Sequence, residues 1–214
     1  VGWGGSKDSR YHDVQCESCH GAGLTHASSP TSSNRPLASI KADTNLTTGC
    51  GECHSGTHTP FVQEWRASKH SVSASATASI TTAANTYCQG CHTGQGALLA
   101  WGVTSNYMEK ADTGKLMQSI TCATCHAPHG SVNDHQLRFP ITTASTETNL
   151  CMKCHQRRSN VDITTTSGPH SPEGPTLLGT AGWFPPGMSA SDSIIGSHGN
   201  TDRNPKLCAT CHVS

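Results

Sequence analysis

The chain has 214 residues in which 14 basic side chains balance 14 acidic ones, and only 13% of positions are charged. Leu, Ile, Val and Phe supply 29 residues, about 14%, where less than ~20% is normally too little for a hydrophobic core. These numbers exclude a conventional oily interior, a charge-swollen coil, a basic footprint for nucleic acid, and a membrane span of roughly 18 apolar residues.

Taken in chain order, residues 1–15 carry His12 and lead into a five-residue signature, Cys16-Glu17-Ser18-Cys19-His20, with His26 six residues beyond it. The signature returns as Cys50-Gly51-Glu52-Cys53-His54, followed by His58. A short helix is then expected over Pro60–His70, with Thr59 as N-cap and Pro60 as first helical residue. The polar run Ser71–Thr82 reads as an extended surface loop. The third copy is Cys88-Gln89-Gly90-Cys91-His92, and a second helix is expected around Asn106–Gln118. The fourth, Cys122-Ala123-Thr124-Cys125-His126, is trailed by His129 and His135. After the loop-like Ile141–Thr148 comes Cys151-Met152-Lys153-Cys154-His155. The longest interval follows, rich in Gly, Pro and Ser, with His170 and His198. The sixth copy, Cys208-Ala209-Thr210-Cys211-His212, closes the series. Several copies are expected to sit on short helices. The copies share no longer repeat, so equal stacked modules are not implied.

All 12 cysteines are used by these six copies, and each second cysteine is followed by His. C-x-x-C-H is the attachment signature of c-type haem. The two thiols add across the porphyrin vinyls, and the next imidazole becomes an axial ligand of the iron. Zinc knuckles leave the following position free to vary; with 14 His in 214 residues, six consecutive hits by chance have a probability on the order of 10⁻⁷. Disulfide stapling predicts dispersed rather than doubled cysteines. Six covalent haems are therefore expected, with His20, His54, His92, His126, His155 and His212 as proximal ligands. Porphyrin discs then replace the missing apolar side chains. The expected fold is mostly irregular, with a few short α-helices and minimal β-structure, an elongated sleeve around a stack of six haems and a single domain over 1–214. Trp3, Trp65, Trp101 and Trp183 are expected to pack on porphyrin faces or edges.

Eight histidines remain, more than six irons need, and four Met in no repeated context argue against general methionine ligation. The distal ligands are read as His12, His26, His70, His129, His170 and His198, with His58 in reserve and His135 last. Irons closed by two histidines suit low-potential electron transfer rather than catalysis. A chain beginning at Val1 is read as a processed, exported form.

These residues resemble the extracellular multihaem c-type cytochromes that polymerise into conductive filaments, most closely the six-haem type. The resemblance rests on the six motifs, Cys122–Gly130, Trp65–His70, His170 with the Ser-Pro-Glu-Gly-Pro run after it, and Ser197-His198-Gly199. It implies paired bis-histidine haems and a head-to-tail homopolymer, with His12 in segment 1–15 ligating a haem of the neighbouring subunit. It further implies a cell-surface or extracellular location and exchange with other electron-transfer cytochromes or extracellular acceptors. Two other functions stay open: a monomeric periplasmic electron shuttle, and a multihaem reductase of nitrite or sulfite type. The second would need an iron with an open coordination position.

Overall fold

The computed structural model describes residues 14–34, 36, 44, 46, 49–75, 86–105, 117–157, 168–192 and 196–213. Among them the backbone is mostly coil and turn, punctuated by short helices and without a β-strand. In chain order the helices are α1 (Cys16–His20), α2 (Leu24–Ser28), α3 (Cys50–Cys53), α4 (Phe61–Ala67), α5 (Thr86–His92), α6 (Gly94–Ala100), α7 (Cys122–Cys125), α8 (Glu173–Leu177) and α9 (Ala209–His212). None exceeds two turns. Helices this short are unstable alone, so each is held by tertiary contacts or capping. The irregular architecture expected from the composition is present, and no described helix is long and apolar enough to cross a membrane.

The chain divides into two compact units, Val1–Gly130 and Ser131–Ser214. In the first, α5 packs on α6. The side chains of Gln89, Thr93 and Gln95 are buried there beside Ala97 and Leu98. The Thr93 hydroxyl accepts from Gly96 N–H at 3.1 Å, capping α6, and donates to the Gln89 carbonyl at 3.0 Å. A side chain at Gly96 would strike that carbonyl and the Thr93 hydroxyl, so the close approach of the two helices requires glycine. The 117–121 segment is tied to α6 by Gly94 N–H on the Gln118 carbonyl at 2.9 Å and Gln118 N–H on Gln95 Oε1 at 2.8 Å. It is tied to α4 by Trp65 Nε1–H on the Ile120 carbonyl at 2.7 Å.

The second unit centres on a small apolar cluster, Met152, Leu178 and Leu207, with Leu177 and Cys208 against it. Leu207 is 2% exposed and holds φ at +47°, a left-handed conformation disfavoured for a branched side chain. Burial in the cluster offsets that cost. Core residues are few in both units, in keeping with the poverty of Leu, Ile, Val and Phe.

The local expectations need three corrections. Helix α4 starts at Phe61 with Pro60 as N-cap, not at Pro60 with Thr59 as cap. The Thr59 hydroxyl is instead used on the Cys53 carbonyl at 2.8 Å, satisfying an acceptor left over at the end of α3. Beyond α4, Lys69–Ser75 is a 3-10 helix, so Ser71–Ser75 is not extended. Its serines fold back, Ser71 Oγ–H onto the Ser68 carbonyl at 2.8 Å and Ser73 Oγ–H onto that of His70 at 3.0 Å, the local side-chain bonding that compact turns use. Finally, Met117 and Gln118 are not helical. Residues 106–116 of that expected helix lie outside the described residues, as do His12 and Trp3.

Candidate haem-attachment sites

Five of the six motifs stand on helices, and the fifth, 151–155, is a run of turns. One helical turn places the two cysteines of a C-x-x-C on the same side of the axis, with the histidine just beyond. The local supports differ. In the first and fourth motifs the residue before the second cysteine closes the turn: Ser18 Oγ accepts from Gln15 N–H and Thr124 Oγ1 from Thr121 N–H, both at 3.2 Å. In the sixth, the Thr210 hydroxyl donates to Asn204 Oδ1. The fifth motif is held by Asn149, which is 0% exposed. Its Oδ1 accepts from Cys151 N–H at 3.0 Å and Met152 N–H at 3.3 Å, while its Nδ2 donates to the carbonyls of Ile141 at 2.8 Å and Thr143 at 3.0 Å.

None of the 12 cysteines is buried and none is in a disulfide. Structural cysteines normally rank among the most buried residues, so these thiols are displayed rather than packed. Burial pushes the Cys19 thiol above its ordinary range, and Cys50, Cys53 and Glu52 of the neighbouring second motif add to this. Cys208 falls to about 6, chiefly because the Cys151 side chain hydrogen-bonds to it, against the opposing effect of desolvation. The fifth and sixth motifs are thus also neighbours. Among the described residues no three His, Cys, Asp or Glu converge as for a bare metal ion.

Large apolar side chains flank the motifs yet face outward: Val14, Leu24, Phe61, Tyr87 and Val213 are all more than half exposed. Phe61 lies with its ring centre 5.6 Å from that of His54. Open thiols, an imidazole and uncovered apolar surface in one place fit a covalently held porphyrin. Trp183, 79% exposed, offers a further uncovered aromatic face, whereas the Trp65 indole is committed to the Ile120 carbonyl.

The spare histidines separate into those drawn to a motif and those that are not. His129 stands beside His20, ring centres 5.9 Å apart and planes inclined by 29°. The contact is a stacked one, and it brings a spare histidine to the proximal histidine of the first motif. His26 has Nδ1 3.1 Å from Asn34 Oδ1, which leaves Nε2 as the nitrogen not engaged by that contact. Ser73 connects His70 with the third motif. Its hydroxyl donates to the His70 carbonyl, and its own carbonyl lies 3.3 Å from His92 Nδ1. His198 lines an open groove of about 530 Å³ with Pro172, Glu173, Thr176, Leu177, Gly196 and Gly199. His58 and His170 are exposed in bends, and His135 is exposed at φ +54° in a kinked 3-10 turn.

The polar residues that contact these histidines, Asn34 at His26 and Ser73 between His70 and His92, carry no motif of their own. Asn149 had a signal: an Asn two residues ahead of a tight turn commonly binds the backbone that follows.

The family described as the doubled CXXCH motif matches residues 115–160, spanning the fourth and fifth copies. The doubled motif points to a multihaem c-type cytochrome. The motifs indicate covalently bound c-type haem, the equipment of an electron-transfer cytochrome. Comparison with curated proteins and with solved structures gave no match.

Proposed function

We propose that this cytochrome carries six haems, each iron bound by two histidines, and conducts electrons over long distances outside the cell. The proximal ligands are His20, His54, His92, His126, His155 and His212; the distal set is His12, His26, His70, His129, His170 and His198. His129 serves an iron at or beside the first motif, and its approach to within 5.9 Å of the His20 ring is the observation that most supports the scheme. Haem iron supplies the one-electron chemistry between its ferric and ferrous forms, and the protein's part is spacing, ligation and exclusion of water. With every iron closed, the protein is not an enzyme. Subunits join head to tail, His12 ligating a haem of the next copy, and a contact of this kind that does not close gives an open polymer. The filament takes electrons from partner cytochromes and passes them to extracellular acceptors.

Mass spectrometry of the purified protein tests the haem number, with six covalent additions expected. Electron microscopy of the secreted fraction tests assembly, with fibres expected from the wild type and none from His12→Ala. Fewer than six additions, or fibres undisturbed by that substitution, defeats the corresponding part of the scheme.

A further inference from the structure

Two proximal histidines present their Nδ1 to different oxygens. His92 Nδ1 lies 3.3 Å from the Ser73 carbonyl, a neutral acceptor. His155 Nδ1 lies 3.3 Å from Glu173 Oε2, a carboxylate. The second contact is set by the main chain. Gly174 N–H donates to the carbonyl of His155 itself at 2.8 Å, which docks the first turn of α8 on the motif. A Cβ at Gly174 would come within 2.8 Å of that carbonyl and 2.9 Å of Met152 Cγ. Only glycine permits this approach, and it delivers the preceding side chain, Glu173, to the imidazole edge.

We propose that Glu173 is a positioning residue that makes the haem on Cys151 and Cys154 harder to reduce than the one on Cys88 and Cys91. The inference rests on histidine ligation at His155, as proposed above. With Nδ1–H directed at a carboxylate, Nε2 is the nitrogen presented to iron, and it becomes a more basic ligand. Reduction adds one electron to ferric iron and removes one positive charge from the centre. A negative oxygen on the ligand's far side stabilises the ferric form more than the ferrous, and the potential falls. A carbonyl acts in the same sense but more weakly. The two side chains are 45% and 62% exposed, so the pair adds little to folding stability. Its effect is to be read in potential, not in melting temperature.

The test is a spectroelectrochemical titration of the intact haem-loaded protein, alongside Glu173→Gln, Glu173→Asp and Asp202→Asn. Glu173→Gln keeps an acceptor but loses the charge. One of the reduction waves is expected to move upward by about tenfold in its equilibrium constant, or 59 mV for one electron, with the other waves unchanged. Glu173→Asp returns that wave toward its original position, and Asp202→Asn, which removes a surface charge elsewhere in the same unit, leaves all waves in place. An unmoved wave in Glu173→Gln, or an equal shift in Asp202→Asn, overturns the inference while leaving the haem scheme standing. Peptide mass mapping that finds no haem on Cys151 and Cys154 overturns both.

Discussion

The third and fifth motifs present the same five-residue chemistry on opposite kinds of support. Around Cys88–His92 the backbone is helical: α5 is separated from α6 by the single extended residue Thr93, and small residues let the two lie close. Around Cys151–His155 no helix forms, and the turns hang on one buried amide, Asn149, with Met152 locked into the apolar cluster behind them. Holding two sulfurs and an imidazole in register does not require a particular backbone. It requires that the main-chain groups be satisfied, by an internal ladder in one case and by a side chain in the other.

Substitutions that attack one support at a time sharpen this contrast. The largest effect is expected from Asn149→Ala, which strips four hydrogen bonds from a fully buried site. At roughly 1 kcal/mol for each, and more where a buried group is left unpaired, the loss is about 4 kcal/mol, and the thermal midpoint should drop by about 10 °C. A midpoint unchanged within 2 °C, measured by calorimetry with the tolerance taken from roughly that scaling, rules out the clamp. Met152→Ala should follow at about 3 kcal/mol, from the cavity opened between Leu178 and Leu207; chemical denaturation reads it directly, and a loss below about 1 kcal/mol means that the cluster is not packed as described. In the helical region Gly96→Ala should cost about 2 kcal/mol by forcing α5 and α6 apart. Its circular dichroism should lose helix, whereas that of Asn149→Ala should not. Smallest is Thr93→Ala at about 1 kcal/mol, the usual value of an N-cap; equal stability of mutant and wild type would leave α6 without need of its cap.

What could be read in advance follows the same division. The motifs, the scarcity of core residues and the resulting coil-rich architecture were all legible, because each depends on residue identity and spacing alone. The helix α6 was not: Gly94-Gln95-Gly96 looks like a breaker, and only its packing against Gln89 explains why glycine is tolerated there. Helix α8 was hidden for a similar reason, with Gly174 and Pro175 inside it. The cap at Thr59 failed because a hydroxyl suited to one helix start was taken by the end of another. Among the ligands, Cys-x-x-Cys-His announced itself, but the approach of His129 to His20 joins residues more than a hundred positions apart. The carboxylate on His155 likewise comes from a segment whose sequence reads only as a loop.

One amide in the second unit has a consequence for how a disturbance spreads. Asn204 Nδ2 donates to the carbonyl of His198 at 2.7 Å and to that of Leu207 at 3.2 Å, while its Oδ1 takes the Thr210 hydroxyl. The loop bearing His198 and the entrance to the last motif are therefore rigged to a common pivot. A pull on His198 is transmitted to Cys208 without passing through any iron. Under the proposed ligation scheme, loosening that histidine should consequently leave a mark in the spectrum of a haem on Cys208 and Cys211, whichever iron His198 serves.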